Sequence, residues 1–209
     1  MPLAIQGSLF DQPPEGRTQP EIPRPRRVAL TAGAWVDVQP NWLPGADGLF
    51  ERLLDAVPWV AERRRMYDRV VDVPRLLAFY DIGEPLPDPL LAEAFDRLND
   101  HYRPQLGEPL LTAGFCLYRD GRDSVAWHGD DTGRSKTEDT VIAILSLGTP
   151  RELALRPRGG RVAHRFALGH GDLVAMGGSC QRTWEHAVPK TAAALGPRVS
   201  VQLRPAGVA

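Results

Sequence analysis

Two segments of the chain repeat apolar residues at helical spacing, and a longer third region alternates them at the spacing of strands. Leu49, Phe50, Leu53, Leu54 and Val57 form the first stripe, with Asp47 in position to cap it. Leu90, Leu91, Ala94, Phe95, Leu98 and Tyr102 form the second; Asp88 before Pro89 supplies its cap and first turn, and His101 falls at its end. Both stripes predict helix faces turned to a core. From Leu110 the pattern shifts to eight short runs broken by Gly, Asp and Pro turns: LLTAGFCLY, SVAWHGD, TVIAILSL, RELAL, RVAHRFAL, DLVAM, WEHAV and RVSVQLR. TVIAILSL is apolar on both faces, which predicts a buried strand. In the last run Val199, Val201 and Leu203 share one face, while Arg198, Ser200, Gln202 and Arg204 share the other. Two helices followed by eight strands predict an α+β fold whose strands form a sandwich or barrel, with the N-terminal helices packed on it.

The N-terminal segment interrupts this pattern. Residues 11–27 hold five prolines among polar and charged positions, too little apolar surface to fold alone. They predict a flexible tail over residues 1–27 and one domain over 28–209. A chain of 209 residues suits one domain with its own core. Cys116 and Cys180 are the only cysteines, so a disulfide scaffold and a four-thiol zinc site are excluded, and a reducing cytoplasm is expected. No apolar run reaches membrane-spanning length, and the N-terminus lacks the layout of a signal peptide. A net charge of −1 removes the bulk argument for a nucleic-acid binder. The local charge is less even: Arg151, Arg156, Arg158, Arg161 and Arg165 face only Glu152 in their stretch, and Arg63 to Arg65 form a second cluster. Such patches can contact phosphates on a neutral protein.

The candidate chemistry begins at His128-Gly129-Asp130, where two-residue spacing in a strand projects an imidazole and a carboxylate to one side. His186 lies on a later strand run. Two histidines and one carboxylate on a β-scaffold make the facial triad of non-haem Fe(II) oxygenases. His101, His164 and His170 compete for the second position. His186 is preferred because Arg198 follows it by twelve residues, on a strand whose arginine face asks for an anionic partner such as a carboxylate.

These residues resemble the AlkB family of Fe(II)- and 2-oxoglutarate-dependent dioxygenases. The matching pieces are LYRDGRDSVAWHGD, ILSLGTPRELALRPR, LGHGDLVAMGG, QRTWEHAVPK and RVSVQLR, preceded by VPRLLAFY, which is similar to the family's Pro-Arg motif. The resemblance implies a double-stranded β-helix, a jelly-roll relative. It implies iron ligation by His128, Asp130 and His186, and 2-oxoglutarate binding through Arg198 and Tyr118, with Arg204 alongside. It also implies O2 as co-substrate. The chain departs from the family at Cys116 and Ser200, where asparagine is common, and after Asp130, where Asp131 and Thr132 stand where repair members carry a base-reading acid.

By the same resemblance the activity would be oxidative demethylation of N-alkylated DNA bases, releasing formaldehyde, succinate and CO2. Asp131, Arg156, Arg158 and Arg161 are the candidate substrate contacts. Trp59, Met66, Tyr67 and Tyr80 are candidates to clamp a flipped base, with none singled out. Alternatives are the same chemistry on RNA, protein or a small molecule, or a silent jelly-roll binding module. Gln6-Gly7-Ser8-Leu9-Phe10 resembles the bacterial peptide that docks on the DNA polymerase sliding clamp, through Gln6, Leu9 and Phe10. A monomer with no membrane association is expected.

Overall fold

A computed structural model describes residues 24–66, 69–193 and 195–208. The chain runs through β1 (Arg26–Ala29), β2 (Trp35–Gln39), α1 (Ala46–Ala56), β3 (Val60–Met66), β4 (Arg69–Tyr80) and α2 (Pro89–Leu106). There follow β5 (Leu110–Tyr118), β6 (Val125–His128), β7 (Thr140–Gly148), β8 (Arg151–Pro157), β9 (His164–Leu168) and β10 (Asp172–Gly178). A four-residue α3 (Cys180–Thr183), β11 (Trp184–Val188) and β12 (Arg198–Pro205) complete it.

The strands form two antiparallel sheets, a large one in the order β1-β2-β10-β7-β12-β5-β4-β3 and a small one in the order β6-β11-β8-β9. Together they make the jelly-roll core expected of the chain. All eight strand runs after Leu110 are strands, and every residue of TVIAILSL is buried. The alternation in β12 divides its side chains between two environments. Val199, Val201 and Leu203 join the core that α1 and α2 cover, while Arg198, Ser200, Gln202 and Arg204 face the cavity between the sheets. A second core, with Leu153, Leu155, Met176 and Trp184, lies between the sheets.

Several local expectations change. Asp47 does not cap α1: the cap position is Gly45, with φ 79, and Asp47 sits in the first turn, where a carboxylate complements the helix dipole. Asp88 caps α2 as expected, its carboxylate accepting from the Leu90 amide at 2.9 Å and binding Arg52 at 2.5 Å. His101 is not the end of that helix, which continues through Pro104 to Leu106. Strands also precede Leu110. β1 begins at Arg26, inside the span that composition assigns to the tail, and β3 and β4 extend the large sheet. Gln6 to Phe10 and Tyr67 lie outside the described residues. Among the described residues no helix is long and apolar enough to cross a membrane.

Candidate metal centre and its cavity

The antiparallel ladder brings the two histidines together. His186 of β11 is the register partner of His128 at the end of β6, and their ring centroids are 4.2 Å apart. Asp130 follows two residues after His128. The ligand atoms of His128, Asp130 and His186 all lie within 4.8 Å of one another, a group able to hold a metal ion. His128 Nδ1 faces the Ala126 carbonyl at 2.8 Å, so the ring donates there and turns Nε2, with its lone pair, towards Asp130 Oδ1 at 3.5 Å. Burial and the neighbouring His128 push the His186 imidazole down to about 3, keeping it neutral. Burial pushes the Asp130 carboxyl up, but Arg204, His186 and His128 outweigh it and hold it below the usual carboxylate range. Neutral imidazoles and an ionised carboxylate are the forms that bind metal, so the donor set fits a first-row divalent ion with open positions.

The triad opens into a cavity of about 570 Å³, a size suited to small organic ligands. Arg198 lies at one end, 2% exposed, with Nε donating to Ser146 Oγ at 3.0 Å. Its buried Nη1 has no hydrogen-bond partner, and among the described residues no carboxylate pairs with it. Burial lowers its pKa, yet a guanidinium remains charged, and a buried unpaired cation facing a cavity fits an anionic ligand. Tyr118, also fully buried, lies beside it, its phenol pushed up to about 12 by burial and Cys116. Arg204 reaches Asp130 Oδ2 at 3.4 Å. Cys116 and Ser200 join one wall with Gln202: the thiol lies 3.7 Å from Gln202 Oε1, and the Gln202 amide contacts Ser200 Oγ. Gly114 makes room for this wall, since a Cβ there would meet Arg204 at 2.8 Å.

The substrate candidates read from sequence fall elsewhere. Asp131 does not line the cavity; its carboxylate pairs with Arg158 at 2.8 Å. Arg156 pairs with Glu185 at 2.8 Å and covers the Trp127 ring at 4.3 Å. Arg161 is exposed and pairs with no carboxylate among the described residues. Arg151 is no phosphate contact: it is buried and donates to the carbonyls of Asp120, Asp123 and Pro189. Arg165 pairs with Glu152, and Arg63 pairs with Asp72. Of the clamp candidates, Trp59 and Tyr80 pack on the helix-covered core. His164 stacks on Phe166, and His170 accepts from the Gly148 amide, both away from the triad.

Among the cavity residues that the sequence reading did not single out, three stand out. Phe79 on β4 and Val60 on β3 line the mouth while 57% and 56% exposed, and Glu62 lies beside them. Phe79 opposes Gly114, which opposes Gln202, so it stands at the Gln202–Arg204 end of the cavity, away from Arg198. An alternation count along VPRLLAFY would have set Phe79 and Leu77 on one face and Tyr80 on the other.

Comparison with known proteins agrees with this geometry. The model of the 2OG-Fe(II) oxygenase superfamily matches residues 40–204. The chain is similar to alpha-ketoglutarate-dependent dioxygenase alkB homolog 3 of Bos taurus, 29% identical over 97% of this chain and 79% of that one. The Homo sapiens counterpart is 32% identical over 85% of this chain, which spans 65% of that protein's length. DNA oxidative demethylase ALKBH2 of Arabidopsis thaliana is 31% identical over 42% of this chain and 35% of its own. Among solved structures, OsALKBH1 superimposes with a TM-score of 0.57 at 14% identity, over 85% of this chain and 100% of that one, a likeness of fold. From the triad, the buried arginine and the matched span, the chain belongs to the 2OG-Fe(II) oxygenase superfamily and is AlkB-like within it.

Proposed function

We propose that this protein is an Fe(II)- and 2-oxoglutarate-dependent dioxygenase that demethylates N-alkylated bases in DNA, releasing formaldehyde, succinate and CO2. The observation that carries the reading is one cavity with two unlike ends. A buried Arg198 without a carboxylate partner among the described residues lies at one end, an exposed apolar lip of Phe79 and Val60 stands at the other, and His128, Asp130 and His186 face the same space.

His128, Asp130 and His186 would hold the iron on one face and leave its other positions to ligands. With 2-oxoglutarate and O2 bound, the metal supplies the oxidising power that turns an N-methyl into a hydroxymethyl, which collapses to formaldehyde and the restored base. Arg198 grips the far carboxylate of 2-oxoglutarate and Tyr118 donates to the co-substrate, which orients it. Arg204 neutralises the carboxylate of Asp130 from the substrate side. A methyl inside a duplex cannot reach a recessed metal, so the base flips out, at a few kcal/mol. Phe79 and Val60 then offer its ring an apolar surface. The phosphate backbone passes over Arg156, Arg158 and Arg161, of which Arg161 is the most available. Asp131, already paired with Arg158, reads no base directly.

The same proposal has the domain act as a cytoplasmic monomer, with Gln6, Leu9 and Phe10 docking on a replicative sliding clamp. The name of the Arabidopsis relative supports DNA as the substrate. The test is formaldehyde release from methylated single-stranded DNA, methylated RNA and unmethylated controls. Release from methylated DNA that disappears in His128→Ala, Asp130→Ala and His186→Ala, and persists in His164→Ala and His170→Ala, is expected. Release from RNA alone, or from neither, overturns the DNA reading.

A further inference from the structure

The sheet holds two of the three candidate ligands but not the third. His128 and His186 are ladder partners, whereas Asp130 lies beyond the end of β6, where no strand bonds its backbone. Its amide donates instead to a side chain, Gln181 Oε1, at 3.0 Å, and its carbonyl accepts from the Ser135 hydroxyl. Gln181 belongs to α3, the short turn that leads directly into β11 and His186. It is 1% exposed, and its buried Nε2 finds no acceptor among the described residues. An apolar residue would avoid that unpaired donor, so what the site keeps is the acceptor oxygen.

The surroundings are built to the same contact. Gly129 lies so close that a Cβ there would overlap the Gln181 carbonyl oxygen. Arg158 donates to that same carbonyl at 3.2 Å and to Asp131 at 2.8 Å, tying the turn to the segment after Asp130 from outside.

We propose that Gln181 is a positioning residue that holds Asp130 in place against the two histidines, doing for the third ligand what the ladder does for the first two. The inference rests on the reading of His128, Asp130 and His186 as a metal site. Groups that orient a ligand without touching the metal commonly set its affinity, and their loss weakens binding about 10–100-fold.

The test titrates metal-free protein with Mn(II) alone and records the visible spectrum of the Co(II)-loaded protein, which reports ligand geometry. Gln181→Met keeps the length and removes the acceptor. Gln181→Asn keeps the amide and draws it back by one methylene, for the case in which the methionine variant fails to fold. The expected result is Mn(II) binding weakened about 10–100-fold with an altered Co(II) spectrum, while the metal-free melting temperature stays near that of the wild type. Unchanged affinity and spectrum would overturn the proposal. So would weakening matched by collapse of the metal-free fold in both variants, which would make Gln181 merely structural. Failure of the underlying site reading looks different, because the wild type itself would then bind no Mn(II).

Discussion

Arg198 and Tyr118 are register partners on β12 and β5, and the guanidinium carbon stands 5.1 Å from the tyrosine ring centroid. The pairing holds the arginine against a buried ring and leaves Nη1 a donor without an acceptor among the described residues. Lysine has neither the plane nor the fork to replace it. Arg198→Lys should raise the KM for 2-oxoglutarate by about tenfold or more, the worth of a charge-assisted bond, with little change in the KM for the nucleic acid. Steady-state kinetics varying each substrate in turn will separate the two.

Phe79 gives the complementary result. Stacking of a base on an aromatic ring is worth about 1–3 kcal/mol. Phe79→Ala should therefore raise the KM for a methylated oligonucleotide by about tenfold and leave the KM for 2-oxoglutarate within twofold. An equal rise in both would mean that the side chain supports the cavity as a whole.

Arg151 and Arg161 share one arginine-rich stretch and should behave in opposite ways. Arg151→Ala strips partners from three carbonyls packed around a buried side chain and should cost roughly 2–4 kcal/mol of stability in urea unfolding. Arg161→Ala should leave stability unaltered and flatten the log–log salt dependence of DNA binding by about 1.

Asp88 links α2 to α1 through Arg52, whose hydrogen bond holds the Asp88 carboxyl below its usual range, with help from the Leu90 amide. A carboxyl depressed by folding stabilises the protein above its unfolded value, near pH 4, and loses that contribution as the pH falls through the folded value. Asp88→Ala should cost about 1 kcal/mol at pH 7, the usual worth of a cap. The gap to the wild type should close as unfolding is measured at progressively lower pH.

For the tail, replacing Leu9 and Phe10 with alanine should abolish binding to a sliding clamp in pull-down and leave turnover on free oligonucleotides unchanged. Loss of turnover would instead assign the segment to the folded core.

The strand half of the fold was legible because it alternates cleanly. β12 reads correctly from its own seven letters, whereas the strand spacing read for His128 and Asp130 holds only as far as the histidine: β6 ends there, and Asp130 reaches the same side from the loop beyond it. The N-terminal strands were hidden by charge. In β2 the inward Asp37 is 2% exposed, and only its bonds to Arg27 at 2.7 Å and Tyr102 at 3.2 Å make that tolerable. A carboxylate there breaks the apolar pattern from which a strand is read. The arginines could not be sorted in advance either, because their fates depend on partners far along the chain, such as Glu185 for Arg156 and Pro189 for Arg151. Aromatics carry the same ambiguity. Alternation separates neighbouring Phe79 and Tyr80, but which of them faces the cavity is decided only once β4 is set against β5.

The two-faced β12 has a consequence for how the protein can fail. Slipping that strand by a single residue would drive Arg198, Ser200, Gln202 and Arg204 into the helix-covered core and turn Val199, Val201 and Leu203 towards the cavity. A state slipped by one residue therefore cannot keep its interior dry, and the packing that seats Val199, Val201 and Leu203 in the core is the same packing that turns Arg198 towards the cavity. Quality control of the fold and quality control of the active centre become one event, and an inactive but well-packed population should be rare in any preparation.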